Sequence, residues 1–163
     1  MADLFDAPDL DIASLSALRE AEAKCRRCHL YKDATQVVPG DGPAHARLMM
    51  VGEQPGNDED LAGEPFIGPA GRMLDRALGD AGIERKKVFI TNAVKHFKFE
   101  QRGKRRLHKR PDPNEIDACR LWQDFERKLV RPKLVVALGA TAARSLLGRV
   151  TTISKARGTP QAM

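Results

Sequence analysis

The sequence predicts an α/β fold of three layers, α/β/α, around a central and mainly parallel sheet. Short apolar runs alternate with stretches of helical periodicity along the 163 residues, which is the pattern of strands joined by helices. Each run has the length and composition of a strand buried on both faces. The resulting order, strand–helix–strand–helix–strand–helix, implies right-handed crossovers with helices on both faces of one sheet.

Local signals along the chain define the individual elements. An opening helix is indicated by Leu15 and Leu18, which fall on one helical face. A long helix begins where Asp112 can act as the N-cap, Pro113 as the first helical residue and Glu115 as the acid of a capping box. The strands are predicted at residues 47–51, 88–91 and 133–138, and the helices at residues 13–24, 71–80, 113–130 and 140–147.

Each predicted strand runs directly into a segment of unusual composition. These segments are residues 52–56, 92–96 and 139–141. In open parallel sheets, sites form outside the carboxyl ends of the strands. We therefore expect the special residues of this chain to converge on one rim of the sheet.

Composition excludes several classes of protein. No apolar run approaches the roughly 20 residues of a membrane-spanning helix, and the acidic start MADLFDAPDLD is unlike an export signal. The three cysteines, an odd number, argue against a disulfide framework and favour metal binding or catalysis in a reducing cytosol. We expect a single domain over residues 1–163, with residues 1–12 flexible.

Positive charge is concentrated in one window of the chain. The 28 Lys and Arg residues outnumber the 22 Asp and Glu residues, which gives a net charge of +6. Residues 95–110 hold eight Lys or Arg and one Glu, so this window alone contributes +7. Such a run is either a solvated loop or a contact surface for phosphates. Charge alone does not decide between the two.

A Cys-x-x-Cys pair, Cys25 and Cys28, supplies two thiolates that can bind one metal or cluster. Cys119 is a third thiol far along the chain, and His96, in the second rim segment, is the candidate for a fourth ligand. On spacing alone, zinc suits this set. The alternatives are a redox pair or simple buried cysteines, although the pair lies outside the strand–helix–strand context of a thioredoxin-like motif.

Residues 52–75 form a long segment rich in glycine, proline and acids between a strand and a helix. Loops of this length without structure of their own are usually functional. Their glycines, Gly52 among them, permit a close approach of the backbone to a ligand. Phe66 is a lone aromatic in this segment, and it is either a core residue or a stacking platform for a planar ring.

Together these motifs resemble the uracil-DNA glycosylase superfamily, and in particular its iron–sulfur family-four branch. The resemblance covers roughly residues 15–158. The basic run from Lys104 to His108, Lys-Arg-Arg-Leu-His, is similar to an inserted loop of the UdgX type, whose members become covalently attached to uracil-containing DNA. The other matching motifs are Gly-Glu-x-Pro-Gly-x-x-Glu-Asp, Gly-x-Pro-Phe-x-Gly-x-x-Gly-x-x-Leu-Asp, the Cys-x-x-Cys pair, Ile-Thr-Asn after the second strand and Leu-Gly-Ala after the third.

The resemblance implies a structural 4Fe-4S iron–sulfur cluster held by Cys25, Cys28, His96 and Cys119, with zinc as the alternative. Family-four enzymes usually have a cysteine where this chain has His96, and the UdgX type resembles this chain at that position. The family continues with a further strand and a His-Pro-Ser-type motif that residues 1–163 do not contain. We therefore expect a chain truncated at its C-terminus.

The resemblance also implies a site for excising uracil from DNA. Phe66 would stack on the extruded base, and the amide of Asn92 would pair with uracil O4 and N3–H. Backbone N–H groups around Gln54 would stabilise the negative charge that develops on uracil O2. Gly52 and Asp60 belong to the same binding segment, in which Asp60 would brace the loop.

His108 is the residue that the resemblance implies as the nucleophile. It would bond to C1′ of the sugar in place of water, and Glu53 would fix its tautomer by accepting a hydrogen bond from the other ring nitrogen. Lys104 and Arg106 are expected both to contact phosphates and to anchor the loop. The full set of expected phosphate contacts is Lys104, Arg105, Arg106 and Lys109.

The sequence therefore predicts a uracil-DNA glycosylase that acts on uracil-containing DNA, preferably single-stranded, and traps itself on the abasic sugar. We expect a cytoplasmic monomer that associates with the nucleoid when it is bound to DNA. Two alternatives stay open. One is an ordinary, turning-over glycosylase, and the other is a non-catalytic, zinc-containing module that binds nucleic acid.

Overall fold

A sheet of three parallel strands lies at the centre of the computed structural model, which describes residues 10–162. The strands are β1 (Leu48–Gly52), β2 (Val88–Asn92) and β5 (Leu134–Ala137), in the spatial order β2–β1–β5. β1 pairs in parallel with both neighbours, and its last residue, Gly52, lies opposite the last residue of β2, Asn92. The predicted parallel sheet and three-layer α/β/α fold are confirmed.

Helices cover both faces of this sheet, and each predicted helix is present. The helices predicted at residues 113–130 and 140–147 have the predicted ends, and the ends of the other two differ by one or two residues. The sequence does not predict the short helix after β1, the short helix at residues 153–156 or the antiparallel hairpin in the basic window. The helices are α1 (Leu15–Ala23), α2 (Asn57–Ala62), α3 (Pro69–Asp80), α4 (Pro113–Val130), α5 (Ala140–Leu147) and α6 (Ile153–Ala156). The hairpin strands are β3 (Phe99–Arg102) and β4 (Arg105–His108), and 3₁₀ turns occupy His29–Lys32 and Arg85–Lys87.

Strand alternation sends successive side chains to opposite faces of the sheet and so creates two apolar layers. Met49 and Val51 pack with residues of α4 and α5 on one face. Met50 packs with Leu74 and Leu78 of α3 on the other face. A third apolar cluster joins α1 to α4 and contains Trp122 together with the cysteines.

β5 departs from the prediction that every strand is buried on both faces. Leu134 is 57% exposed, and the other residues of the strand are only half-buried. β2 and β5 both pair with β1 on one side only. They differ on the other side, where Asp41 forms a bridge with Ile90 of β2 and no described segment pairs with β5. β1 and β2 have the predicted burial.

Residues 1–12 are expected to be flexible, and of these only residues 10–12 lie within the part of the chain that the structure describes. Leu10 and Ile12, which are described, pack against the cluster between α1 and α4. Within residues 10–162, no helix combines the length and the apolarity that crossing a lipid bilayer requires.

A buried ion pair joins the end of β2 to α4. The Nζ atom of Lys95 lies 2.7 Å from Oε1 of Glu126, and both side chains are almost fully excluded from solvent. Lys95 also donates to the hydroxyl of Thr91, and the same Glu126 oxygen accepts from the backbone N–H of Gly40 at 3.1 Å. A third group, Glu22, lies near both members of the pair, and burial raises the pKa of its carboxyl to about 8.

The capping box predicted at the start of α4 is present. The side chain of Asp112 accepts a hydrogen bond from the backbone N–H of Glu115 at 3.0 Å, and the Glu115 carboxylate accepts from the backbone N–H of Asp112 at 2.8 Å. Two N–H groups that have no partner within the helix are thereby satisfied. The box fixes where the longest helix begins, and this helix carries Cys119 and Glu126.

Replacing the cap residue tests its contribution to stability. Asp112→Ala should lower the free energy of unfolding by about 1 kcal/mol, because one helical N–H loses its side-chain acceptor. Denaturation in urea measures the change. The matched control is Asp124→Ala on the same helix, which removes an exposed ion pair with Arg127 at 2.6 Å and should cost about 0.5 kcal/mol or less. Equal losses in the two variants would contradict the prediction.

Candidate active site

Glu53 lies at the centre of the rim, immediately after β1, and both of its carboxylate oxygens have partners. Oε1 is 3.3 Å from Nε2 of His108. Oε2 accepts a hydrogen bond of 2.5 Å from the hydroxyl of Thr141, a buried residue in the first turn of α5, and lies 3.8 Å from Nε of Arg110. The carboxylate is therefore held by α5 on one side and faces an imidazole on the other.

His108 is the last residue of β4, and the strand alternation determines where it points. Residues two apart in a strand share a face, so His108 and Arg106 are directed toward the body of the protein. Leu107 and Arg105 are directed away from it and are exposed. The imidazole is about half-exposed, and its ring centre is 6.4 Å from that of Phe97. It is therefore accessible to a ligand while still in contact with Glu53.

Arg106 attaches the hairpin to the body of the protein. Its guanidinium lies 2.6 Å from a carboxylate oxygen of Asp60 and donates to the side chain of Asn57 at 2.9 Å. The rings of Phe97 and Phe99 lie 5.3 Å and 5.0 Å from it in cation–π geometry. These contacts are those of a loop anchor, which is one of the two roles expected for Arg106.

Asp60, for which the sequence suggests the role of a loop brace, is buried between three segments of the chain. Its carboxylate has no exposed surface and accepts from the backbone N–H of Thr35 at 2.9 Å as well as from Arg106. A charge with this degree of burial depends on such partners, because the interior solvates it poorly. Asp60 therefore joins α2, the segment around Thr35 and the hairpin at one point.

The side chain of Gln54 holds the two ends of the hairpin together. Its amide nitrogen donates to the backbone carbonyls of Lys98 and Lys109, both at 3.1 Å, and its amide oxygen accepts from the N–H of Lys98 at 2.9 Å. The sequence predicts that backbone N–H groups around Gln54 contribute to the site. The structure adds a role for its side chain, which fixes the hairpin beside Glu53.

Phe66, Gly52 and Asn92 come together where β1 and β2 end. A methyl group on Gly52 would overlap the ring of Phe66 and would lie about 2.5 Å from Oδ1 of Asn92. The ring and the amide therefore both reach the surface of this one glycine. A flat face next to a group with both donors and an acceptor is suited to a planar, hydrogen-bonding ring.

The remaining basic residues of the hairpin are available to a ligand. Lys104, Arg105 and Lys109 are all exposed, in contrast with Arg106. Lys104 lies in the turn, next to Gly103, whose φ of 58° is the left-handed conformation that glycine readily adopts at the first position of a two-residue turn. The outer face of the hairpin is thus a positively charged ridge.

The three cysteines lie in or against the apolar cluster between α1 and α4. The indole N–H of Trp122 donates to the sulfur of Cys25 at 3.2 Å, and the backbone N–H of Lys95 donates to the sulfur of Cys119 at 3.3 Å. Burial raises the pKa of the Cys119 thiol to about 12 and also raises the pKa of Cys28. Donors directed at sulfur are typical of thiolates that ligate a metal.

His96 adds a nitrogen donor to the same region. Its Nδ1 atom is buried without a hydrogen-bond partner, and burial lowers the pKa of its imidazole, so the ring is held in the neutral form that ligates metals. Among residues 10–162, no three His, Cys, Asp or Glu side chains converge closely enough to hold a single ion. A cluster of several iron atoms is larger than an ion and needs more widely spaced ligands. The unpartnered nitrogen of His96 and the N–H groups directed at the sulfurs of Cys25 and Cys119 fit a set of ligands for a metal or a cluster.

Sequence analysis did not assign roles to Thr141 or α2. Thr141 follows β5 within a predicted rim segment, so the sequence indicates its position at the rim. The sequence does not indicate that its hydroxyl binds Glu53. α2 begins at Asn57, and its signal is Glu59, whose carboxylate accepts from the backbone N–H of Gly56 at 3.1 Å, together with acids throughout its first turn.

Comparison with known proteins identifies relatives of the chain. A model of the uracil DNA glycosylase superfamily matches residues 39–161. The chain is 38% identical over 138 residues to a type-4 uracil-DNA glycosylase of Archaeoglobus fulgidus, which covers 82% of this chain and 66% of that protein. It is 35% identical over 150 residues to a type-4 uracil-DNA glycosylase of Sulfurisphaera tokodaii, covering 89% of this chain and 65% of the relative.

A third relative is covered more completely. A type-4 uracil-DNA glycosylase of Thermotoga maritima is 37% identical over 147 residues, which span 90% of this chain and 73% of that protein. The chain thus spans about two thirds of the length of the curated relatives that it matches. The similarity supports the type-4 branch that the sequence motifs indicated.

Loss of the Asp60 charge should loosen the hairpin. In Asp60→Asn the guanidinium of Arg106 loses its charged partner, so the hairpin should leave the body of the protein more often and trypsin should cut after Lys104 and Arg105 about ten-fold faster. Timed digestion with mass spectrometry measures this rate. The control, Asp58→Asn, removes the same charge from an exposed position of α2 and should leave the rate unchanged. Equal rates in both variants would contradict the anchoring role.

Proposed function

Because this chain belongs to the uracil-DNA glycosylase superfamily, we propose that it excises uracil from DNA and that His108 then bonds to the abasic sugar. The proposal includes a preference for single-stranded DNA, in which the target base needs no unpairing. The observation that carries it is the position of His108, half-exposed and 3.3 Å from a Glu53 carboxylate that Thr141 braces. A histidine held only to contact phosphate would not require a partner carboxylate on the rim.

Base recognition is assigned to Phe66 and Asn92. The ring of Phe66 stacks on uracil, and the amide of Asn92 pairs with O4 and N3–H of the base. Cytosine presents the opposite pattern of donor and acceptor on this edge, so a wrong pairing leaves polar groups unmatched at a cost of about 1–3 kcal/mol each. The contact of both side chains with Gly52 supports this assignment, because it places the aromatic ring and the amide next to each other.

DNA binding is assigned to the outer face of the hairpin. Lys104, Arg105 and Lys109 are exposed there and can neutralise phosphates, which supplies affinity without sequence preference. Arg106 on the inner face holds the ridge in place. The same hairpin therefore carries phosphate contacts on one face and His108 on the other.

The chemical step breaks one bond and forms one. The bond between C1′ and N1 of uracil breaks and its electron pair leaves with the base, while backbone N–H groups near Gln54 stabilise the charge on O2. The ring nitrogen of His108 that does not face Glu53 donates its lone pair to C1′, and the new C1′–N bond places a positive charge on the imidazole. The Glu53 carboxylate stabilises that charge.

An iron–sulfur cluster is proposed at Cys25, Cys28, His96 and Cys119. When bound, it would supply cross-linking between segments and no chemistry in the excision step. The buried Nδ1 of His96, which lacks a partner, and the N–H groups directed at Cys25 and Cys119 support this ligand set. The cluster would tie the segment after α1 to the end of β2 and to α4.

Removing single ligands tests the cluster. Cys119→Ala and His96→Ala should lose most of the iron and the brown colour, and should unfold at lower temperature, because a structural metal site contributes directly to folding free energy. Iron content, visible absorbance and thermal unfolding measure these effects. His45→Ala, which changes an exposed histidine, should retain full iron. Full iron in Cys119→Ala, or a colourless protein that contains zinc, would refute the assignment.

Trapping by His108 is tested with a single-stranded, uracil-containing oligonucleotide. The protein should give a protein–DNA band that survives heat and detergent on a denaturing gel. His108→Ala should give no such band and should release abasic DNA, detected by cleavage in hot alkali, because water takes the vacated position. Glu53→Gln should slow formation of the band about ten-fold, which corresponds to about 1.4 kcal/mol of lost stabilisation of the imidazolium.

His45→Ala is the control for the loss of a histidine and should trap DNA like the unchanged protein. A heat-stable band in His108→Ala would place the nucleophile elsewhere. Abasic product in excess over the unchanged protein, with no band, would identify an ordinary, turning-over glycosylase. Failure to release uracil in every variant would refute the glycosylase proposal itself.

A further inference from the structure

The backbone of Phe66 has an unusual conformation. Its φ is 55°, which lies in the left-handed region that bulky side chains rarely occupy. Such a conformation persists only where the surroundings impose it, and it is often found at functional sites. The contacts that impose it here therefore also determine where the aromatic ring points.

Arg85, which begins the 3₁₀ turn before β2, holds the segment on the N-terminal side. Its Nη2 donates to the backbone carbonyls of Pro65 at 3.1 Å and Phe66 at 3.0 Å. Its Nη1 is 2.5 Å from a carboxylate oxygen of Asp75 in α3. Since both carbonyls belong to one short stretch, the planar guanidinium fixes the orientation of the peptide units around Phe66.

Glu59 holds the same segment on its C-terminal side. One oxygen of its carboxylate accepts from the N–H groups of Ile67 at 3.1 Å and Gly68 at 2.8 Å. A side chain at Gly71 would collide with the carbonyl oxygen of Phe66, so α3 closes the third side. The strained residue is thus enclosed by a cation on its carbonyls, an anion on the following N–H groups and a helix.

We propose that Arg85 is a positioning residue that holds the Phe66 ring beside Asn92. This inference rests on the proposed function, in which the ring stacks on uracil. Arg85 precedes β2 and Asn92 ends it, so one rigid strand links the group that orients the ring to the amide that reads the base. Without Arg85, Phe66 relaxes from the left-handed region, and the ring leaves the position next to Gly52.

The effect on the reaction is tested by a double-mutant cycle. Single-turnover release of uracil from a single-stranded oligonucleotide is measured for Arg85→Ala, Phe66→Leu and the double variant. Phe66→Leu should be about ten-fold slower, the scale of one lost base–aromatic stack. Arg85→Ala should lose a similar factor, and the double variant should be no slower than Phe66→Leu, because Arg85 acts only through the ring. Arg85→Lys should recover part of the rate.

A second experiment, which does not measure activity, tests whether Arg85 holds the backbone around Phe66. Hydrogen exchange of residues 63–71 should accelerate in Arg85→Ala. Arg127→Ala is the matched control, since Arg127 has similar exposure, 27% against 34% for Arg85, and an ion pair of similar length, 2.6 Å against 2.5 Å. It should change neither exchange in this segment nor the rate of uracil release.

Three outcomes would overturn the inference. The first is unchanged hydrogen exchange of residues 63–71 in Arg85→Ala, and the second is an unchanged rate of uracil release in that variant. The third is a double variant in which the rate losses of the two single variants multiply. An unchanged rate in Phe66→Leu would instead refute the stacking role in the proposed function. If the protein releases no uracil at all, the proposed function fails, and unchanged exchange in Arg85→Ala would still refute the hold by Arg85.

Discussion

The ion pair between Lys95 and Glu126 is the interaction on which the rim depends. Its two charges lie where water does not reach, so removal of either one would leave the other uncompensated, at a cost of about 3–5 kcal/mol. The pair joins the end of β2 to α4 and, through Gly40, to the segment before β1. Asn92 and His96 lie on either side of Lys95 in sequence, so the same contact fixes both the amide proposed to read the base and the nitrogen donor beside the cysteines.

Carboxylates of the protein body also organise the basic hairpin. A segment with this density of positive charge repels itself, and it stays folded because its inward-facing cations have anionic partners. Asp60 pairs with Arg106, and Glu115 pairs with Lys98 at 2.8 Å beneath the hairpin base. A third carboxylate, that of Glu53, faces the imidazole of His108. Strand alternation separates these neutralised cations from the exposed ones. The surface proposed to contact phosphates therefore carries the cations for which the described residues supply no carboxylate partner, namely Lys104, Arg105 and Lys109.

The parallel sheet and its rim could be predicted from sequence because they follow from local patterns. Apolar runs and the Asp112 capping box carry their own signals, and parallel pairing then brings Gly52 and Asn92 together at one edge. Contacts between distant segments could not be predicted in this way. No local pattern says that Asp60 binds Arg106 or that Thr141 binds Glu53. The strands of the hairpin carry no clear signal in the sequence, because they are short and charged. Contacts with the body of the protein stabilise them instead.

β5 is also less buried than its apolar composition predicts, and this difference has a physical reason. An apolar run indicates that a strand can be buried on both faces. The position of the strand in the sheet determines how much of its surface is covered. Both edge strands pair with β1 on one side only, but Asp41 forms a bridge on the other side of β2, and no described segment does so for β5, the strand of Leu134. Composition does not contain this difference. The same distinction applies to Phe66, since its residue type fits either a core or a stacking face. The backbone held by Arg85 and Glu59 orients it toward Gly52.

The alternation of β4 limits how relatives of this chain can vary in length. Arg106 and His108 face the same way because one residue separates them, so a single insertion between them would turn the imidazole toward solvent while the anchor stayed in place. Residues added at the turn around Gly103 change the length of the ridge without altering the direction of His108. Natural variation in this hairpin should therefore accumulate at its tip, where the proposed reach toward DNA can change while His108, the proposed nucleophile, keeps its orientation.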